Sequence, residues 1–321
     1  MSASANLDGA DGGIVQGLDN LPAPCRRGVL SVGIFDGVHL GHQAILAQAR
    51  RRADDLAAPC CALTFDPPPA ALLAPGRRGD LVLPLAVCCR LLRQAGADSV
   101  IVVRTTPEFL DIEPEAFVRQ VLVDRLAARA VVEGPNFFFG RHRSGDIHTL
   151  RRLAGEGGFE VVEVPPVMIE LPEGRHRVAS SLIRRLLRDG RVDAAGCCLG
   201  RPYQLHGHVV AGRRRGRVLQ FPTANLEPDG VLAPADGVYA ARAEVAGRHW
   251  PAAVSIGVNP TFEGHARVIE AHLIDGSGDY YGQPMILSFV QRLRPQERFA
   301  SAEALREQIA RDVQRVRELC G

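Results

Sequence analysis

The fold of the first half is decided by one stretch, Gly33-Ile34-Phe35-Asp36-Gly37-Val38-His39-Leu40-Gly41-His42-Gln43. The apolar run 29–35 is typical of a strand, and the segment 43–54 is predicted to be helical. Two histidines on either side of Gly41 therefore stand at the start of a helix, where free N–H groups and the helix dipole favour an anion. The residues alone leave three interpretations open, namely phosphate binding, solvated loop histidines, or a metal pair. Their place at the end of the first strand of an α/β sheet favours phosphate.

Outward from this stretch, short apolar segments alternate with helical ones. The predicted strands are Val29–Phe35, Cys60–Phe65, Ser99–Val103, Ala130–Glu133 and Glu160–Val164. The predicted helices are Gln43–Asp54, Leu85–Gln94, Pro114–Leu126 and Ile147–Ala154. This alternation predicts βαβ units and a parallel sheet, in which ligands bind outside the carboxyl ends of the strands.

The second half has a different texture. Two short helices, 181–188 and 192–199, lead into β-rich segments separated by Gly and Pro, and the chain ends in a helix over 302–319. These segments predict an antiparallel barrel or sandwich. We expect a flexible N-terminal tail over 1–27, an α/β domain over 28–186 and a β domain over 187–321.

Composition excludes several mechanisms. The chain has 321 residues, and all 38 basic side chains are arginine, because there is no lysine. A P-loop, a protein-kinase active site and a pyridoxal-phosphate Schiff base each need a lysine. The net charge of +2 does not favour nucleic acid, and no apolar run has the ~18–20 residues that span a bilayer. The eight cysteines include three adjacent pairs and no C-x-x-C, which indicates reduced, buried thiols, and with the lack of a signal peptide predicts a cytoplasmic protein.

The histidine stretch resembles the H-x-G-H signature of the nucleotidylyltransferase superfamily. More narrowly, it is similar to the adenylyltransferase half of the prokaryotic bifunctional riboflavin kinase/FMN adenylyltransferase (FAD synthetase) family. Three further segments resemble that family in the same order, namely 64–69 (T-F-x-P-x-P), 134–140 (G-x-[DN]-F-x-F-G) and 179–184 (S-S-[ST]-x-I-R). The resemblance implies a Rossmann-like nucleotidylyltransferase domain followed by a riboflavin kinase β-barrel with a C-terminal helix.

The resemblance also implies roles in the first domain. His39 and His42 would hold the ATP phosphates while the FMN phosphate attacks the α-phosphorus. Arg184 would bind the triphosphate from the far side. The remaining residues implied to bind ATP or FMN are Gly33, Phe35, Asp36, Gly41, Asn136, Ser180 and Ser181. Ala179 stands where the family has the first serine of its motif, and the two serines that remain also suit a plain helix N-cap.

A second motif lies at the start of the β-rich half. The family pattern G-x-[GA]-x-G-R-x-x-G-[FY]-P-T-A-N is matched at Gly212, Gly216, Arg217, Pro222, Thr223 and Asn225. Thr223 and Asn225 would supply oxygen ligands to Mg²⁺. The arginines also fit a solvated loop or a nucleic-acid patch. Gln220 stands where the family has a glycine. We expect this departure to affect the efficiency of the kinase reaction.

The segment 269–272 also resembles the family. The resemblance implies that Glu270 is the general base, which takes the proton of the terminal ribityl hydroxyl as that oxygen attacks the ATP γ-phosphorus. Periodicity alone would make Glu270 an ordinary strand residue facing solvent. We also expect Arg294 to have a minor role near the flavin.

The sequence therefore predicts an enzyme that converts riboflavin to FMN and FMN to FAD, using ATP and Mg²⁺. We expect no nucleic-acid or membrane partner, and a monomer or weak homo-oligomer. The alternatives are a nucleotidylyltransferase for another phosphorylated acceptor and a flavin- or RNA-binding regulator. A class I aminoacyl-tRNA synthetase shares H-x-G-H but would need a lysine-bearing K-M-S-K-S loop.

Overall fold

The computed structural model describes residues 13–73, 81–211, 221–261, 264–276 and 278–321, with backbone only at 259–261 and 264–266. The described chain forms two compact units. The first contains residues 13–73 and 85–178, and the second contains residues 81–84 and 179–321. The division after Val178 lies ahead of the predicted boundary at 186.

Ten strands belong to the first unit. They are β1 (Ile14–Gln16), β2 (Val29–Val32), β3 (Cys60–Asp66), β4 (Ser99–Arg104), β5 (Ala130–Glu133), β6 (Phe138–Phe139), β7 (Gly145–Asp146), β8 (Glu160–Glu163), β9 (Met168–Leu171) and β10 (Gly174–Arg177). Six of them make a parallel sheet in the order β1-β4-β3-β2-β5-β8. The other four form two small antiparallel pairs, β6 with β7 and β9 with β10. The predicted parallel sheet is confirmed.

Six helices connect these strands. They are α1 (Leu40–Asp55), α2 (Pro69–Leu73), α3 (Leu85–Gln94), α4 (Pro107–Leu110), α5 (Pro114–Phe117) and α6 (Ile147–Gly157). The helix predicted over 114–126 is α5 continued by a π-helical segment, Val118–Arg125.

The central strands β2, β3, β4 and β5 are mostly apolar because they are buried on both faces. In β2, Leu30 and Val32 join one core cluster, while Val29 joins a second cluster with Ala49 and Ala53 of α1. Alternate residues of one strand thus fill both layers, which explains why three of the four residues of β2 are apolar.

One sequence prediction fails in this unit. Residues 1–27 were expected to be a flexible tail, yet Ile14–Gln16 pairs in parallel with β4 at the edge of the sheet. The side chain of Cys25 is fully buried in the core as well. Burial of apolar side chains and a strand partner hold this part of the segment in place.

The second unit begins with α7 (Ser180–Arg188) and α8 (Val192–Leu199). Its strands are β11 (Tyr203–Val210), β12 (Ala224–Pro228), β13 (Gly237–Val245), β14 (Arg248–Thr261), β15 (Gly264–Leu273) and β16 (Pro284–Arg294). They close into an antiparallel barrel in the order β11-β12-β15-β14-β13-β16, so the barrel prediction is confirmed over the sandwich.

The last helix, α9 (Ala302–Cys320), packs on the barrel through Val316 and Cys320. A short segment from the first half of the chain also belongs to this unit. Leu81 forms a parallel bridge with Val231, and its carbonyl accepts a hydrogen bond from the N–H of Leu232 at 2.8 Å.

All eight cysteines are free, and seven of them are buried, as the sequence predicts for thiols in apolar segments. Among the described residues, no helix has the length and apolar character needed to cross a membrane.

Candidate active sites

The turn after β2 places the two histidines side by side. The N–H of Gly33 donates to Leu63 as the strand ends, and the chain then passes through positive φ angles at Phe35, Gly37 and Val38. These conformations reverse the chain so that α1 starts at once, with His39 as its N-cap.

His39 and His42 stack with ring centroids 3.7 Å apart and an angle of 16° between planes. The N–H of His42 donates to Nδ1 of His39 at 3.3 Å. Since Nδ1 of His39 accepts this hydrogen bond, its ring proton sits on Nε2, which is then a donor for an anion. The turn thereby selects one tautomer of His39.

His42 is held in its neutral form. Burial is the main cause that lowers the pKa of His42 well below its usual value, and an electrostatic contribution from the adjacent His39 ring adds to it. Its Nδ1 atom is buried and has no hydrogen-bond partner among the described residues, while Phe35 contacts the ring edge to face with centroids 5.2 Å apart. A neutral imidazole at a helix start donates to phosphate without needing protonation.

Gly41 permits this stacking. A Cβ atom at Gly41 would lie 3.0 Å from Cε1 and 3.1 Å from Nδ1 of His39. Asp36, in the same turn, is 5% exposed. The structure therefore places Phe35, Asp36, His39, Gly41 and His42 in one turn at the carboxyl end of β2. Their binding of ATP or FMN stays a prediction.

Asn136 lies at the carboxyl end of β5 in an exposed turn, closed by a hydrogen bond from the N–H of Phe137 to Gly134 at 3.1 Å. Two residues after Asn136, the side chain of Phe138 is 45% exposed and lies under the guanidinium of Arg143, whose Cζ is 5.0 Å from the ring centroid. An exposed aromatic ring beside a turn at the sheet's carboxyl edge offers a flat apolar surface.

Ser180, Ser181 and Arg184 lie on α7 in the second unit. The N-cap of α7 is Ala179, which makes no side-chain capping bond, so neither serine serves as the cap. Ser180 and Arg184 are four residues apart and share one face of the helix. Their predicted contact with the triphosphate stays a prediction.

In the barrel, Glu270 lies between two polar neighbours. Strand register pairs it with Asn225 on β12 and with Ser255 on β14. Its neighbours Ile269 and Ala271 are buried in the core, so alternation turns Glu270 to the outer face of the barrel. The carboxylate of Glu270, the amide of Asn225 and the hydroxyl of Ser255 thus lie side by side on three adjacent strands.

Thr223 directly precedes β12 and Asn225 lies within it. Because side chains two residues apart in extended chain point the same way, both oxygens face the side that carries Glu270. The described residues contain no cluster of three or more His, Cys, Asp or Glu placed to bind a metal. The oxygen donors of Thr223 and Asn225 do suit Mg²⁺.

Two contacts at this site were missed from the sequence. His272 Nδ1 donates to the carbonyl of Pro222 at 2.8 Å, and its ring meets Phe221 edge to face with centroids 5.4 Å apart. Gln296 donates to Oγ of Ser255 at 2.8 Å. The alternation of side chains along β15 places His272 on the same face as Glu270. This pattern could have indicated that His272 lies near the segment around Pro222.

Arg294 has a partner of its own. Its Nε and Nη2 donate to Asp312 of α9 at 2.8–3.1 Å, and its guanidinium lies 5.6 Å from the ring of Phe299. Beside this pair a groove of about 410 Å³ runs between the end of β16 and α9. The role of Arg294 near the flavin stays a prediction, as do those of Gly212, Gly216, Arg217 and Gln220, which lie outside the described residues.

Comparison with known proteins agrees with both halves. Residues 22–181 match the FAD synthetase family model, and residues 199–320 match the riboflavin kinase model. A bifunctional riboflavin kinase/FMN adenylyltransferase of Pseudomonas fluorescens is 36% identical over 95% of this chain and 97% of its own length. The protein of that name from Bacillus subtilis is 33% identical over 90% of this chain and 91% of its own.

The fold has a counterpart among solved structures. A crystal structure from Streptococcus pneumoniae, described as a macrolide-efflux protein, covers 95% of this chain and 98% of its own with a TM-score of 0.85 and 29% identity. Both family models and the full-length relatives lead to one conclusion. The chain belongs to the bifunctional riboflavin kinase/FMN adenylyltransferase family.

Proposed function

We propose specific residue roles for the two reactions of this transferase, riboflavin kinase and FMN adenylyltransferase. Membership of the family gives the chain riboflavin, FMN, FAD and ATP as substrates and products, with FAD synthesis in the N-terminal part and riboflavin phosphorylation in the C-terminal part. The residue roles are argued from the two sites in turn.

In the first unit, the stacked histidines carry the adenylyl transfer proposal. An oxygen of the FMN phosphate attacks the α-phosphorus of ATP, the bond to the β-phosphate oxygen breaks, and pyrophosphate leaves. Nε2 of His39 and the ring of His42 donate hydrogen bonds to the phosphate oxygens on which negative charge builds up. Removing one such preorganised donor costs about 10²–10³ in rate. Arg184 and the hydroxyls of Ser180 and Ser181, on α7, are proposed to donate hydrogen bonds to phosphate oxygens of ATP.

The flavin side of this site is assigned to the turn after β5. Asn136 would contact the FMN phosphate, and its exposed position leaves its amide open to a ligand. Asp36 and the backbone around Gly33 would border the nucleotide at the carboxyl end of β2.

In the second unit, the register of Glu270 beside Asn225 carries the kinase proposal. The ribityl hydroxyl attacks the γ-phosphorus, its proton passes to Glu270, and ADP leaves. Thr223 and Asn225 would hold Mg²⁺, which when bound neutralises charge on the ATP phosphates. His272 fixes the segment ahead of Thr223 by its hydrogen bond to Pro222.

Gly212, Gly216 and Arg217 are proposed to border the kinase nucleotide. Arg294 and the groove beside it are proposed to lie near riboflavin, because this groove opens beside the loop that Gln296 ties to Ser255. We also propose a cytoplasmic enzyme, monomeric or weakly associated, with no nucleic-acid partner.

The test begins with wild-type protein, riboflavin, ATP and Mg²⁺, followed by chromatography. FMN and then FAD should form, and the absence of both would refute the function. Glu270→Gln should lower FMN formation by about 10²–10⁴ while FMN-to-FAD conversion persists. Glu227→Gln, an exposed carboxylate elsewhere on β12, is the matched control and should behave as wild type.

His42→Ala tests the other site. It should lower FAD formation from FMN by about 10²–10³ and leave riboflavin phosphorylation unchanged. His148→Ala on the exposed face of α6 serves as its control. Equal loss of both activities in either site variant would refute the division of roles.

A further inference from the structure

The carboxyl ends of β2 and β5 separate before either strand is finished. Their pairing joins Val29 to Ala130 and Leu30 to Val131, and extends no further. The chain continues from β2 to β3 on one side while β5 lies on the other, so this gap is the topological switch point of the sheet. Ligands of open α/β sheets bind at such a crevice.

A carboxyl side chain fills the gap. One oxygen of Glu133, Oε1, accepts hydrogen bonds from the N–H of Val32 at 2.5 Å and from Oγ of Ser31 at 3.3 Å. Glu133 is only 5% exposed. Its side chain thus replaces the missing backbone acceptor for the last residue of β2 and prevents a buried N–H from going unpaired.

Both segments of the adenylyltransferase site start from this bridge. Val32 is followed directly by Gly33 and the turn that carries Asp36 and His39. Glu133 is followed directly by the turn 134–137 that carries Asn136. One carboxyl group therefore fixes the two strand ends from which the proposed ATP and FMN contacts extend.

We propose that Glu133 is a positioning residue for adenylyl transfer that acts in its protonated form. This inference rests on the proposed adenylyltransferase role of the histidine turn. A neutral carboxylic acid accepts the hydrogen bond of Val32 without adding charge. A carboxylate at the base of the crevice repels the phosphates of ATP and FMN.

The surroundings favour the neutral form. Burial raises the pKa of Glu133 to about 8, against the opposing hydrogen bonds from Val32 and Ser31. On β8, its register partner Glu163 is bound to Arg151 of α6 at 2.6 Å.

The charged groups of α1 are also engaged. Arg50 is paired with Asp98, and Arg52 with Glu160. At the start of the same helix stand His39 and the neutral His42. None of these groups is among the causes of the shift in the pKa of Glu133.

The experiment measures kcat/KM for FMN-to-FAD conversion from pH 6.5 to 9.5 in the full chain. The kcat/KM of wild type should fall about tenfold between pH 7 and pH 9. This is the change in the protonated fraction of an acid with a pKa of about 8. Glu133→Gln keeps an acceptor oxygen but does not ionise. It should lie within about twofold of wild type at pH 7 and should lack this fall.

Glu133→Met keeps the length of the side chain and removes the acceptor, so it should be at least about tenfold slower at every pH. Riboflavin kinase activity of the same proteins should not change, and Glu163→Gln should keep the wild-type profile. The proposal is overturned if kcat/KM of Glu133→Gln falls with pH as that of wild type does, or if this variant is inactive at pH 7. Either result counts even if Glu133→Met fails to fold. Wild type that makes no FAD at any pH would instead refute the adenylyltransferase role itself.

Discussion

Besides the apolar contacts of Val316 and Cys320, one largely buried ion pair joins α9 to the barrel. Arg294 is 14% exposed and Asp312 7% exposed, and their closest N–O distance is 2.8 Å. The carboxylate of Asp312 also accepts a hydrogen bond from Gln308 at 2.9 Å. Both partners are largely shielded from water. Loss of Asp312 therefore leaves the charge of Arg294 buried without its ion-pair partner.

Asp312→Ala should therefore lower the unfolding free energy of the second unit by about 3–5 kcal/mol. Exposed ion pairs contribute about 0–1 kcal/mol, so the two classes are separable by experiment. Arg294 keeps its contact with Phe299 and a hydrogen bond to Pro295, which hold its side chain near its place. With an m-value of about 2 kcal/mol per molar urea, the midpoint should fall by about 2 M.

The assay uses the chain's single tryptophan, Trp250, which lies in β14 and so reports on the barrel. Urea unfolding followed by its fluorescence gives the change directly. Glu318→Ala on the same helix is the matched control, because its pair with Arg315 is 49% and 53% exposed and should contribute less than about 1 kcal/mol. A loss below about 1 kcal/mol in Asp312→Ala would refute the reasoning.

Three further predictions concern the sites. Gly41→Ala should slow FMN adenylylation at least tenfold without altering riboflavin phosphorylation, since its Cβ would crowd His39 at about 3.0 Å; unchanged FAD formation in a coupled chromatographic assay would contradict this. The unfolding free energy of wild type should fall between about pH 4.5 and about pH 8, because folded Glu133 retains its proton over that window and the unfolded carboxyl does not; thermal melts of Glu133→Gln should lack this slope of up to about 1.4 kcal/mol per pH unit. Removing Mg²⁺ with EDTA should abolish FMN formation, and Thr223→Ala should raise the Mg²⁺ concentration for half-maximal rate about tenfold; an unchanged Mg²⁺ dependence would exclude Thr223 as a ligand.

Most of the element pattern was accessible from local sequence. The helix Leu85–Gln94 and the strand Ala130–Glu133 were predicted with the bounds that the structure gives. The segment Ile14–Gln16 was not, because three residues between glycines give no period-two pattern, and its strand depends on pairing with β4, more than 80 residues later. Closure of the barrel is likewise a property of long-range pairing, not of any one strand.

The sites show the same limit. The histidine turn was recognisable because its residues are neighbours in the chain. Glu133 enters the sequence analysis only as the last residue of a predicted strand, and only the structure brings it to Val32, 101 residues away. The bond between Gln296 and Ser255 joins positions 41 residues apart and follows from the barrel's closure.

The short bridge at Leu81 affects how the protein can be cut into parts. A fragment that starts at Ala179 contains all six barrel strands, yet it lacks the carbonyl that accepts from the N–H of Leu232. Residues 81–84 belong to the second unit, the chain from Leu85 to Val178 belongs to the first, and the barrel strands follow after Ala179. A single peptide cleavage therefore does not release an intact kinase unit, and an isolated C-terminal fragment should melt below the same unit in the whole chain.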